Sequence, residues 1–299
     1  MDNPDKTESK TSKLLKLFLK ITITAVCLWY VSGKIDFTKA GLALKNSNWY
    51  LLLLALVAFV LSKLIAAIRL NIYFSNIGIH LPERQNAKLY WLGMFYNLFL
   101  PGSISGDAYK VILLTKKYNA PYKKTTAAVL LDRFSGLLGL GLILAIYSII
   151  VLNNYLYVAA ICVGAILGIA ILFFILKKWL KDFIPGFIPT LLLGILVQGM
   201  QVVCAYLIMA SLNMPFHQTE YIFLFLVSSV VAVLPLTIGG LGAREIVFLE
   251  GSVYFGLIKE NSVVISILFY LITIFTSAWG MVYVFKDPLK KQRSSTLRK

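Results

Sequence analysis

Histidine and cysteine are scarce in this sequence. The two histidines, His80 and His217, lie far apart, and the three cysteines, Cys27, Cys162 and Cys204, sit in separate apolar runs. That leaves no paired spacing for a disulfide framework and no ligand set for zinc. Acidic residues number only 13 against 29 lysines and arginines. The phosphate-loop pattern G-x-x-x-x-G-K-[ST] is missing, so nothing reads as an ATPase. GSISG at Gly102–Gly106 carries Ile104 where a nucleophile elbow needs serine, with no histidine nearby. No cofactor and no metal are expected.

What fills the chain instead is apolar. Of 299 residues, 59% are hydrophobic and 14% charged, and the apolar residues fall in runs of about 20, the length that crosses a bilayer. The net charge of +16 suggests nucleic acid at first sight. The basic residues, however, cluster in short loops and tails between apolar runs, where membrane topology and anionic lipid account for them and no nucleic acid is expected as partner.

The most informative stretch is Leu234–Glu245, LPLTIGGLGARE, in the middle of an apolar tract. Proline removes a backbone donor and glycine weakens a helix. At membrane depth both are tolerated only where the broken backbone is buried in protein or lines a polar cavity. A counterpart, LPGSISGDAYK, occupies Leu100–Lys110, and the two align without gaps as Leu-Pro-x-Ser/Thr-Ile-Ser/Gly-Gly-x-x-x-Lys/Arg. Paired interruptions of this kind point to a transporter-like site between two repeats.

The chain order gives a topology. Residues 1–13 form a polar cytoplasmic tail, 14–285 one transmembrane domain, and 286–299 a basic cytoplasmic tail. The first span ends near Val31, a polar loop follows over 32–48, and the second span runs from about Asn48 to Ile68, closed by Arg69. Segments 87–117 and 221–257 are each interrupted by a break and are expected as re-entrant helical hairpins, because the positive-inside rule keeps Lys116, Lys117, Lys123 and Lys124 inside. Full spans are expected at about 125–152, 155–176, 187–212 and 263–284. The expectation is an all-α polytopic membrane protein with six full spans and two hairpins in an inverted-topology repeat, in the cell inner membrane, with both termini cytoplasmic. Gly164 and Gly168 form a small-x-x-x-small pair that predicts close helix packing, as do Gly136, Gly139 and Gly141.

Charges inside such a domain are costly and usually face protein or water. The candidates are Asp107, Lys110, Asp132, Arg133, Arg244 and Glu245, with Lys63 as a gate or counter-charge. Lys63 has two readings: its stem snorkels to the interface near Arg69, or it pairs with Asp132. Glu245 suits a helix N-terminus electrostatically, whereas Arg244 is disfavoured there and so calls for an anionic partner; Lys110 occupies the equivalent position. Ser103, Ser105 and Thr237 read as helix caps or cavity lining, Asn97 as a side chain that bonds backbone freed by the break, and Gly239 and Gly240 as substrate-facing backbone.

These motifs resemble the transmembrane region of lysylphosphatidylglycerol synthases and their free-standing, flippase-like relatives. The resemblance rests on N-x-x-L-P-G-x-x-x-G-D with a following basic residue (Asn97–Lys110), L-D-R-x-x-G (Leu131–Gly136) and L-P-x-T-I-G-G-L-G-A-R-E (Leu234–Glu245). Ser105 stands where the family commonly has glycine and Lys110 where it commonly has arginine. What the resemblance implies is a module that moves polar or anionic lipids between leaflets. The soluble transferase domain of the best-understood relatives is expected to be absent. The expected partners are anionic or phosphate-containing membrane lipids, with room for a lipid-modifying enzyme. The alternatives are an intramembrane transferase using Asp107 or Glu245 as base, and an accessory membrane subunit.

Overall fold

The computed structural model describes residues 10–99, 105–214, 219–234, 237–285 and 288–289, with side chains described at 18–19 and from 21 onward. The described residues form eleven α-helices and two short 3-10 segments, and contain no strand. The helices are α1 (Lys10–Ser32), α2 (Phe37–Lys45), α3 (Trp49–Ser75), α4 (Glu83–Phe99), α5 (Ser105–Tyr118), α6 (Tyr122–Val151), α7 (Tyr155–Trp179), α8 (Phe187–Ser211), α9 (Thr219–Val233), α10 (Ala243–Phe255) and α11 (Lys259–Ala278).

Among the described residues, five segments are long and apolar enough to cross a membrane: α3, α6, α7, the 3-10 turn joined to α8 (Lys181–Ser211), and α11 with its 3-10 extension (Lys259–Tyr283). Only the part of α1 from Ile21 enters that comparison, as a shorter apolar helix. Much of the surface is apolar, with Tyr155, Leu156, Ile166 and Phe174 exposed on α7 and Ile149 and Ile150 on α6. In water this surface would drive association; in lipid it is the natural exterior. The chain is an integral, multi-pass membrane protein.

Three spans form the centre. α3 runs along α8, and α6 packs on α8 and α3. The approach is set by glycine: a Cβ on Gly139 of α6 would lie 2.5 Å from the backbone of Gly194 on α8, so neither helix tolerates a side chain there. One apolar core joins Phe59 of α3, Ile208 of α8, Phe225 of α9, Phe248 of α10 and Phe269 of α11. A second joins Leu70 and Phe74 of α3, Leu89 of α4, Leu114 of α5 and Leu131 of α6. The short helices α4 and α5 pack on each other, as do α9 and α10, so each interrupted segment is a helical pair.

Three details differ from the sequence-based expectation. α3 does not stop at Arg69 but continues to Ser75, with polar side chains of its last turns turned to partners inside the protein: Arg69 pairs with Asp132, and Asn71 donates to the carbonyl of Leu81 at 3.0 Å and to Glu83 at 2.6 Å. The stretch 32–48 is not wholly loop. Asp36 accepts from the N–H groups of Thr38 and Lys39 and caps the nine-residue helix α2. Finally, Gly164 makes no helix contact, since a Cβ there would meet nothing within 4 Å, whereas Gly168 does pack closely, a Cβ there lying 3.0 Å from Leu138 Cδ2 of α6.

Candidate functional site

The first interrupted pair is closed around Asp107. Gly106 donates its N–H to Asn97 Oδ1 at 2.9 Å, so Asn97 bonds backbone at the start of α5. Asp107, in the first turn of α5, accepts from Lys110 Nζ at 3.1 Å and from Arg133 Nε of α6, with a longer contact of 3.4 Å from Asn97 Nδ2. A carboxylate in a first helical turn also complements the partial positive charge there. Lys110 is 4% exposed and its ammonium lies 4.8 Å from the centre of the Tyr90 ring. A Cβ on Gly93 would overlap the Lys110 stem, and one on Gly106 would overlap the carbonyl of Gly93. Glycine at both positions lets α4 and α5 approach and leaves room for the lysine. Lys110 and Arg133 are therefore committed to Asp107. Ser105, the first residue of α5, is half-buried, and Ser103 lies outside the described residues.

Asp132 is paired with Arg69, not Lys63: Arg69 Nε donates to Asp132 Oδ1 at 2.7 Å, with both side chains at or below 10% exposure. The Arg69 guanidinium packs against Gly136 of α6, where a Cβ would come 3.0 Å from Nη1, and near Gly194 of α8, where one would come 3.6 Å from it. Arg69 is the functional-region residue the sequence reading passed over. Its partner is 63 positions away, and an arginine at the end of an apolar run looks like an interfacial stop.

The second interrupted pair is built differently. Gly239, Gly240 and Gly242 have φ of 61°, 86° and 84°, a region L side chains rarely adopt. The three glycines hold the chain open, and α10 begins only at Ala243. The break is covered by α1, where Thr24 Oγ1 accepts from the Ile238 N–H at 3.2 Å. It also meets the other helical pair, since a Cβ on Gly239 would lie 2.5 Å from Leu98 Cδ1 of α4. Glu245, 1% exposed, accepts from the Gly242 N–H at 2.6 Å and from Ser266 Oγ of α11 at 2.8 Å. It caps the helix start and ties it to α11.

Arg244 has no such commitment. Its guanidinium lies 4.9 Å from the centre of the Phe269 ring, and Nη1 is enclosed without a hydrogen-bond partner among the described residues. The Thr237 hydroxyl in the same break is likewise enclosed and unpartnered. Lys63 is the second uncommitted cation. Its ammonium lies 4.4 Å from the centre of the Phe59 ring, with no carboxylate in ion-pair range among the described residues. Phe59 and Phe269 stack edge to face at 5.3 Å, so the two cations rest on one aromatic cluster and feel each other's charge. With α3 running to Ser75, Lys63 lies twelve residues, or about 18 Å, from the helix end, which is the middle of the span and too deep to snorkel. The centre of the bundle thus carries an excess of positive charge.

The comparisons with known proteins agree with the architecture. Residues 17–280 match the model of the family described as the lysylphosphatidylglycerol synthase TM region. A UPF0104 membrane protein of Pyrococcus horikoshii is 27% identical over 123 residues, covering 40% of this chain and 36% of that protein. Since the family match takes in all eleven helices except the first turns of α1, the chain belongs to the lysylphosphatidylglycerol synthase transmembrane-region family.

Proposed function

We propose that this protein is a lipid translocator that carries a polar or anionic lipid between leaflets of the cytoplasmic membrane, with both termini on the cytoplasmic side. The observation that carries the reading is the unbalanced pair Arg244 and Lys63 at mid-bundle. Both side chains are half-buried, and a cation at that depth without a counter-charge is costly, so it is retained where an anion visits. A lipid phosphate supplies that anion. The arginine fork gives it two directed hydrogen bonds, and the lysine a mobile point charge. The N-terminus of α10 adds its partial positive charge from the same side, and Thr237 adds a hydroxyl. Acyl chains stay in the bilayer while the headgroup crosses.

In this reading the two interrupted pairs, α4 with α5 and α9 with α10, are re-entrant hairpins of an inverted repeat, with Leu98 of α4 set against Gly239 in the second break. Asp107, Lys110, Arg133 and Asn97 hold the first hairpin in shape. Asp132 and Arg69 form a counter-charge pair beside the path. A transferase mechanism finds less support, because Asp107 is held by two cations and Glu245 by a helix terminus and Ser266, so neither carboxylate is placed as an uncommitted base.

The test is reconstitution in vesicles with fluorescent phosphatidylglycerol, following headgroup accessibility to an impermeant quencher. Wild type should equilibrate the label between leaflets without altering it chemically. Arg244→Gln with Lys63→Gln should slow this at least about tenfold, the loss of one charge-assisted contact. No movement in wild type, or a double variant as fast as wild type, would overturn the proposal.

A further inference from the structure

A second feature of the molecule is suited to a lipid. Between α3, α4 and the end of α11 lies an open groove of about 640 Å³. Its α3 wall is Leu56, Val60 and Leu64, one apolar stripe at helical spacing. Its rim carries Arg84 and Lys88 of α4, at the end of the bundle where α3 finishes and α4 begins. Lys88 has no carboxylate in ion-pair range among the described residues. Trp91 and Trp279 stand along the groove, as amphipathic rings do at headgroup level. Thr276 of α11, 3% exposed, contributes to its wall.

An apolar trough that is basic at one end matches a molecule that is anionic at one end and apolar along its length. We infer that the groove seats one anionic phospholipid, its phosphate against Arg84 and Lys88 and an acyl chain along Leu56, Val60 and Leu64. Leu64 and Lys63 lie at one depth on α3, about 100° apart around the helix, so a lipid held here is stored at the level of the Arg244 and Lys63 site. That storage role rests on the translocator reading; the binding itself does not.

The experiment uses the two groove tryptophans as reporters, in a full-length chain carrying Trp29→Phe, Trp49→Phe and Trp179→Phe. Phosphatidylcholine nanodiscs receive equal mole fractions of brominated phosphatidylglycerol or brominated phosphatidylcholine, and tryptophan quenching is recorded. The phosphatidylglycerol form should quench at lower concentration, by roughly fivefold for each basic residue. Arg84→Gln with Lys88→Gln should erase that preference. Ala87→Phe, which fills the groove from its half-exposed α4 wall, should weaken quenching by both lipids. Equal quenching by the two lipids, or a preference that survives the double variant, would reduce the feature to ordinary surface lipid. Gly164→Ala, at a position that faces open space, should leave the quenching unchanged. If the preference stands while wild type moves no lipid between leaflets, the groove survives and the translocator reading falls; movement without preference gives the converse.

Discussion

The two interrupted helical pairs share a sequence pattern and part company in their electrostatics. Aligned on their Leu-Pro, Lys110 corresponds to Arg244, and Asp107 to Leu241. In the first pair the helix begins at Ser105, so Asp107 and Lys110 lie one turn apart and neutralise each other, with Arg133 as a third member. In the second, three left-handed glycines keep the chain unwound for four further residues, and Arg244 becomes the second residue of α10. The acid of that segment, Glu245, is one residue past the arginine and turns back to the helix start. A common motif therefore yields one closed joint and one joint with a cation to spare. The position of a single carboxylate decides which is which.

The largest expected effect is on the closed joint. Asp107→Asn leaves Lys110 and Arg133 without their counter-charge, and removing one member of a buried ionic group costs about 3–5 kcal/mol. Unfolding in mixed micelles should show this as a clear loss of stability. A change below about 1 kcal/mol would mean that the joint is more hydrated than its burial implies, and the contrast with the second pair would disappear.

Next is Gly106→Ala. The added methyl would run into the Gly93 carbonyl, which belongs to helix backbone and cannot move aside as a side chain does. A loss of up to about 3 kcal/mol is expected, with α4 and α5 splayed apart. The same assay applies, and Gly164→Ala is its control: with open space at that position, it should be neutral or slightly stabilising, as alanine is the better helix former.

Ser266→Ala probes the second joint. It removes one of the two described bonds to Glu245 while leaving the Gly242 N–H in place. About 1.5 kcal/mol should be lost, the lower end for a hydrogen bond to a charged group. If the loss instead matched that of Asp107→Asn, Glu245 would be held as rigidly as Asp107, and the two joints would differ less than their contacts suggest.

Much of this was open to a reading of the chain. Composition and run length give the helical membrane class, and the proline and glycine clusters locate both breaks, because hydrocarbon penalises an unpaired backbone so heavily that its interruption needs a reason. The roles of the charges were less open. Lys110 and Arg244 look equivalent in sequence, and only the delayed start of α10 separates them. Arg69 looks like a membrane-edge residue until Asp132 is found beside it, and a partner on another helix leaves no trace in local spacing. Gly164 and Gly168 show the reverse limit. They have the spacing of a packing motif, but only Gly168 meets a neighbour, the Leu138 side chain of α6, while Gly164 faces open space; the backbone contact at Gly139 and Gly194 joins two different helices.

The smallest expected effect on stability separates the joints most clearly. Arg244→Gln removes a guanidinium that has a ring face, an enclosed Nη1 and no carboxylate, and it relieves the repulsion with Lys63. Glutamine keeps a hydrogen-bonding end of shorter reach, so little packing is lost. Stability should hold within about 0.5 kcal/mol or rise, as it does for substitutions that break no satisfied contact. A charge kept for folding would behave as Asp107 does. A charge kept for a ligand places its cost on the empty protein and returns it when the ligand binds, so its removal should spare the fold and slow the movement of lipid between leaflets. A large destabilisation by Arg244→Gln would place the arginine among the structural residues, and Lys63 alone would then carry the case for a headgroup site.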